Sequence, residues 1–167
     1  MQVACGSLLD FVAAALRDSG IEPRRVEFEI TESVRLDEDS ANLAVLRGLR
    51  DLGVRISLDD FGVGYASLSY LRSFPFDKIK IDRSFVRDVT TSAESAAIVS
   101  AITLLGEHLS VRVTAEGVEE QAQLDRLVEL GCNEAQGYHL GRPQPLPDVK
   151  RLLETEGLRR LSVVGHG

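Results

Sequence analysis

The sequence predicts an α/β protein in which strands and helices alternate to build part of a parallel barrel wall. Three observations carry that prediction. Helical stretches end at Gly20, Gly53 and Gly131, and each is soon followed by a short β-prone run. Within those runs apolar and polar residues alternate, so each strand has one apolar and one charged face. The chain has 167 residues and is 44% hydrophobic. That suffices for one domain with a real core but falls short of the roughly 250 residues of a closed eight-stranded barrel.

Taken in order, residues 1–20 read as a strand remnant near Gln2 to Cys5 followed by a helix. Strands are then expected at Val26–Ile30, Val54–Leu58, Lys78–Ile81, Val111–Ala115 and Asn133–Gln136. Between them Ile98, Ala101, Ile102, Leu105 and Leu109 fall at helical spacing, as do Leu124, Leu127 and Val128. Each set predicts an apolar stripe laid against a sheet. The main domain spans 1–156, and 157–167 form a dispensable tail.

The alternation along the strands separates two architectures. Val26, Phe28 and Ile30 oppose Glu27 and Glu29; Ile56 and Leu58 oppose Ser57 and Asp59. Ile79 and Ile81 oppose Lys80, and Val113 and Ala115 oppose Thr114 and Glu116. Helices cover both faces of a doubly wound sheet, so its strands read as continuous apolar runs. A barrel instead packs its apolar face on outer helices and gathers the other face inside, with the active site at the strand C-termini.

The formal charge of −7 and the lack of a Lys/Arg cluster argue against a DNA groove. Cys5 and Cys132 have no CxxC spacing, and His108, His139 and His166 no paired-ligand spacing, so neither a disulfide framework nor a zinc site is suggested. No apolar run of about 18 residues offers a membrane span. Residues 3–16 lack the basic start of a secretory leader and contain Asp10. A cytoplasmic protein with reduced thiols is expected.

Glu29, Asp59, Asp60, Lys80, Glu116 and Gln136 all stand at or near the C-terminal ends of different predicted strands. If the strands form one wall, these groups converge. Four carboxylates against one ammonium leave the cluster at −3, and like charges about 4 Å apart repel by about 4 kcal/mol at an effective dielectric of 20. Oxygen donors of this kind suit Mg²⁺ or Mn²⁺. Two such ions would turn the sum to +1 and let the cluster hold a phosphodiester. An inward Lys80 is costly unless carboxylates or phosphate pair with it.

In combination and order, Glu29-Ile30-Thr31-Glu32, Asp59-Asp60-Phe61-Gly62, Lys80-Ile81-Asp82, Ala115-Glu116-Gly117-Val118-Glu119 and Gln136-Gly137-Tyr138 resemble the EAL-type cyclic di-GMP phosphodiesterase domain. The likeness covers its C-terminal two-thirds and is best over 26–143. It implies an incomplete TIM-like (β/α) barrel, about strands 3 to 8 of the EAL barrel. It also implies Mg²⁺- or Mn²⁺-dependent hydrolysis of cyclic di-GMP to linear pGpG at a two-metal site. By this resemblance Glu29 and Asp59 ligate the first metal, while Asp60 and Glu116 serve the second and activate water. Lys80 orients that water or contacts phosphate, Gln136 completes the site, and Glu119 joins Lys80 and Gln136 in contacting substrate. Glu32 holds the loop carrying Phe61, Gly62 and Gly64, which in the family couples the site to dimerisation.

The chain also departs from the family. The Glu-Ala-Leu segment, whose Glu is a metal ligand, is absent, and Gln2 stands where the family has an Asn ligand. Impaired turnover follows as an expectation, with a degenerate module that binds cyclic di-GMP or a protein partner as the alternative. A wall beginning at the third strand has two open edges, so a homo-oligomer is expected. A sensory or GGDEF-type domain, fused or associated upstream, is a further partner the family implies.

Overall fold

The computed structural model describes residues 5–31, 34, 41–63, 71 and 74–156. Gln2, Glu32, Gly64 and the tail 157–167 lie outside them, as does the expected strand remnant apart from Cys5, which opens the first helix. In chain order the elements are α1 (Cys5–Ser19), a 3₁₀ turn (Pro23–Arg25), β1 (Glu27–Thr31), α2 (Ala41–Asp51), β2 (Arg55–Phe61) and β3 (Lys78–Ile81). There follow α3 (Arg83–Arg87), α4 (Ala93–Leu109), β4 (Arg112–Glu116), α5 (Gln121–Glu129), β5 (Glu134–Gln136) and α6 (Leu146–Glu156).

Among the described residues five strands pair in parallel and lie in chain order from β1 to β5. A doubly wound sheet reverses its strand order at a switch point. Here every crossover steps the same way, as in a barrel wall. Ile56, Leu58, Ile79, Ile81, Val113 and Ala115 are buried and pack in one core with Leu43, Leu46 and Leu49 of α2, Val99 and Ile102 of α4, and Leu127 of α5. Each buried Val, Leu or Ile among them contributes roughly 1.5–3 kcal/mol. Side chains begin two of the helices: Asp82 Oδ1 accepts from the Ser84 amide at 2.9 Å, and Ser92 Oγ from that of Ser95 at 3.2 Å.

The opposite face shows how far the sheet curls. Four strand spacings of about 4.8 Å would hold β1 and β5 about 19 Å apart in a flat sheet. Yet Lys78 on β3 lies 3.1 Å from Glu27 on β1 and 3.0 Å from Glu134 on β5. The polar face is therefore the concave one.

Two helix faces differ from the sequence expectation. On α4 the buried residues are Ala96, Val99, Ile102, Thr103 and Gly106, whereas Ala101 is exposed and Leu109 is 45% exposed. The helix is apolar nearly all round, so apolarity alone does not select its face; close approach does. A Cβ on Gly106 would come within 2.3 Å of Val113 Cγ2, so the small side of the helix turns to the sheet. On α5 Leu127 is buried as expected, but Val128 is 42% exposed and the polar Gln123 is buried.

Candidate active site

Strand β2 runs past Leu58 to Phe61, and its register with β3 shifts between those residues. Within the shift Asp60 takes φ +55°, a conformation Asp tolerates better than most residues. In a regular strand Asp59 and Asp60 would point to opposite faces. The irregularity re-aims Asp60, and one carboxylate oxygen from each of Asp59, Asp60 and Glu116 lies within 4.8 Å of the others.

Lys80 occupies the centre. Its Nζ stands 2.6 Å from Glu116 Oε1, 2.7 Å from Glu29 Oε1 and 3.2 Å from Asp59 Oδ1, and the residue is only 5% exposed. Burial alone would lower the ammonium pKa, but hydrogen bonds and charge from Glu116, Glu29 and Asp59 outweigh it and hold the pKa above its ordinary 10.5. Lys80 therefore stays charged at every physiological pH. Burial lifts the Glu116 carboxyl above its ordinary 4.5, with Lys80 opposing and the charges of Asp59 and Glu29 adding. Asp59 Oδ1 is buried, and the Lys80 ammonium 3.2 Å away meets it as a poorly aligned ion pair. Four carboxylates gathered around one ammonium, all offering oxygen, fit a hard divalent cation.

A second charged layer lies beneath the first. Lys78 bridges Glu27 and Glu134, Arg112 Nη1 lies 2.7 Å from Glu134 Oε1, and Thr114 donates to Glu134 Oε2 at 2.9 Å. Burial by itself would raise the Glu134 carboxyl; Lys78, Thr114 and Arg112 carry it below its ordinary 4.5. A depressed carboxyl contributes stability above its unfolded pKa, and that stability is lost as pH falls through the folded value. Glu134→Gln is thus expected to lower the Tm at neutral pH and to flatten its decline below about pH 4.5, as read by melts across a pH series. Parallel curves for the two proteins would contradict this role.

Gln136 pairs with Glu116 across the last two strands and lines a cavity of about 260 Å³ with Arg83, Glu116, Glu119 and Tyr138. Its position depends on Gly137. The Val118 amide donates to Gln136 O and the His139 amide to Val118 O, both at 3.0 Å. A Cβ on Gly137 would sit 2.1 Å from Val118 O and 2.3 Å from Val118 N. Gly137→Ala is expected to destabilise the chain by about 2 kcal/mol, measured by urea unfolding; an unchanged midpoint would contradict the contact.

The structure thus gathers Glu29, Asp59, Asp60, Lys80 and Glu116 at one end of the sheet, with Gln136 and Glu119 on the adjoining cavity. Phe61 ends β2 buried in the core, and at Gly62 (φ +102°) a Cβ would meet Phe85 Cε2 at 2.9 Å. Sequence reasoning missed Lys78 and Glu134, although each lies two residues before a predicted site residue and so on the same face. It also missed Gln123 and Arg83, which no strand pattern marks.

The sequence profile described as the EAL domain matches residues 1–143. The chain belongs to the EAL domain family. It is 50% identical to the uncharacterized protein y4lL of Sinorhizobium fredii over 89% of this chain and 18% of that protein. With the bifunctional diguanylate cyclase/cyclic di-GMP phosphodiesterase MucR of Pseudomonas aeruginosa it shares 46% identity, over 87% of this chain and 21% of MucR. The cyclic di-GMP phosphodiesterase RocR of the same organism is 40% identical, over 86% of this chain and 37% of RocR. The EAL chain thus spans well under half the length of these relatives. Among solved structures, the MucR phosphodiesterase in complex with c-di-GMP superposes with a TM-score of 0.80 at 42% identity, covering 88% of this chain and 62% of that one. The manganese/cy-diGMP complex of Klebsiella pneumoniae BlrP1 gives 0.76 at 36%, covering 81% and 34%. The barrel expectation thus agrees with known EAL folds. Among the described residues no helix is long and apolar enough to cross a membrane.

Proposed function

We propose that this chain forms the metal-binding part of a cyclic di-GMP phosphodiesterase domain, which opens one ester bond of cyclic di-GMP to give linear pGpG. The observation that carries this reading is the convergence of Asp59, Asp60 and Glu116 within 4.8 Å of one another beside a buried Lys80 bound to three carboxylates. Relatives named as cyclic di-GMP phosphodiesterases and a neighbour solved with manganese and the dinucleotide support it.

Glu29, Asp59, Asp60, Glu116 and Gln136 would hold Mg²⁺ or Mn²⁺. When bound, such cations would neutralise the acids and polarise the phosphodiester. Lys80, locked in its charged form, orients the attacking water or contacts a phosphate oxygen. Glu116, whose carboxyl is the more readily protonated for being buried, accepts the water's proton on a carboxylate oxygen. Glu119 and Gln136 face substrate across the adjoining cavity. We further propose that the chain works in the cytoplasm and self-associates along its outer strands, with any sensory or GGDEF-type domain upstream. A monodisperse monomer in light scattering would count against self-association.

The test is chromatographic detection of pGpG after incubation of cyclic di-GMP with Mn²⁺ and with EDTA. Product in Mn²⁺ alone supports the reading; equal product in both overturns it. The same assay separates this from a second reading, a module that binds the dinucleotide without turning it over. Saturable binding with no product would select it.

A further inference from the structure

Gln123 is a buried polar side chain, 5% exposed, on the first turn of α5. Its Oε1 accepts from the amides of Glu119 at 2.8 Å and Glu120 at 3.0 Å. Its Nε2 donates to the carbonyl of Arg87, at the end of α3, at 3.2 Å. A helix cap needs only the bond to the Glu120 amide. The other two bonds do something else: they tie the segment that continues β4 beyond Glu116 to the helix that continues β3 beyond Lys80. Between the tied segments lies a cavity of about 600 Å³ whose walls include Val63, Asp82, Arg83, Ser84, Arg87 and Glu119. Arg83 and Glu119 also line the smaller cavity beside Glu116. A Cβ on Gly117 would press to 2.6 Å on Arg83 Cβ, so the two walls already touch at their base.

We infer that Gln123 is a positioning residue: it fixes the separation of the 117–120 segment from α3 and so the shape of the cavity that Arg83 and Glu119 line. The walls offer it a guanidinium and a carboxylate, which suits a nucleotide carrying both acceptors and donors. The inference rests on reading the adjoining acids as the cyclic di-GMP site.

Two variants separate the tie from the cap. Gln123→Glu keeps oxygens for the amides of Glu119 and Glu120 but cannot donate to Arg87 O, and Gln123→Leu keeps neither. Amide hydrogen exchange on the full chain is expected to quicken in α3 for both variants, and at 119–120 for Gln123→Leu only. Cyclic di-GMP binding, measured by calorimetry with Ca²⁺ present, is expected to weaken about tenfold in both. Exchange that rises at 119–120 alone would overturn the inference, leaving Gln123 a simple cap. Unchanged binding in a variant whose two segments have both loosened would overturn it as well. If the unsubstituted chain binds no dinucleotide, the reading of the site fails, whereas the exchange data still decide whether Gln123 couples the segments.

Discussion

Glu116→Ala is expected to lower pGpG formation about 10³-fold, which corresponds to about 4 kcal/mol in the barrier, while the chain stays folded. The fold survives because Lys80 keeps Glu29 and Asp59 as partners at 2.7 and 3.2 Å. Activity does not, because Glu116 is at once a member of the acid cluster and the carboxylate whose burial favours taking a proton. Glu116→Gln preserves the side-chain shape and removes only the charge and the base, so it should lose nearly as much. Initial rates with Mn²⁺, compared with melts of the same preparations, provide the check. Turnover retained in either folded variant would remove Glu116 from its assigned role.

Lys80→Met is expected to act on the fold itself. The substitution leaves Glu29, Asp59 and Glu116 facing one another without a counter-charge. Removing one partner of a buried ion pair costs about 3–5 kcal/mol; the half-exposed Glu29 places this case at the lower end. The pH dependence follows from the wild-type shift. A lysine whose folded pKa is raised contributes stability that is fully present below its unfolded value of 10.5 and is lost only as pH rises through the folded one. The deficit of the variant should therefore persist across neutral pH and shrink in acid, where the carboxylates take up protons. Divalent cations should restore more stability to Lys80→Met than to the unsubstituted chain, because they supply the missing charge. Melts with EDTA and with Mn²⁺ at neutral and acidic pH decide this. Equal Tm values in EDTA would show that Lys80 does not hold the acids together.

The particular residues show which parts of the molecule the sequence expressed. Strands β1, β3 and β4 begin within one residue of expectation because polar and apolar side chains alternate there, and a one-residue slip would exchange the two faces. The same alternation brought Glu29, Lys80 and Glu116 to one face, and the structure joins them directly. The proximity of Asp60 to Asp59 and Glu116 rests on a register shift in β2, and a shift leaves no mark in residue pattern. The face of α4 was misread because its apolar residues surround the helix and the choice fell to Gly106 against Val113. The Lys78 layer went unseen because salt bridges between β1, β3 and β5 depend on how tightly the sheet curls, which follows from packing rather than from any one strand. Gln123 bonds to a carbonyl 36 residues earlier in the chain, a partnership no local motif encodes.

The most direct measurement is Mn²⁺ binding followed by electron paramagnetic resonance in the intact chain, with Asp60→Asn and Glu116→Gln made separately. Acids drawn from β2 and β4 into one cation site predict saturable binding that either change weakens at least tenfold, with both proteins still folded. Binding that is absent from the unsubstituted chain, or that is indifferent to both substitutions, would contradict the shared site on which the account stands.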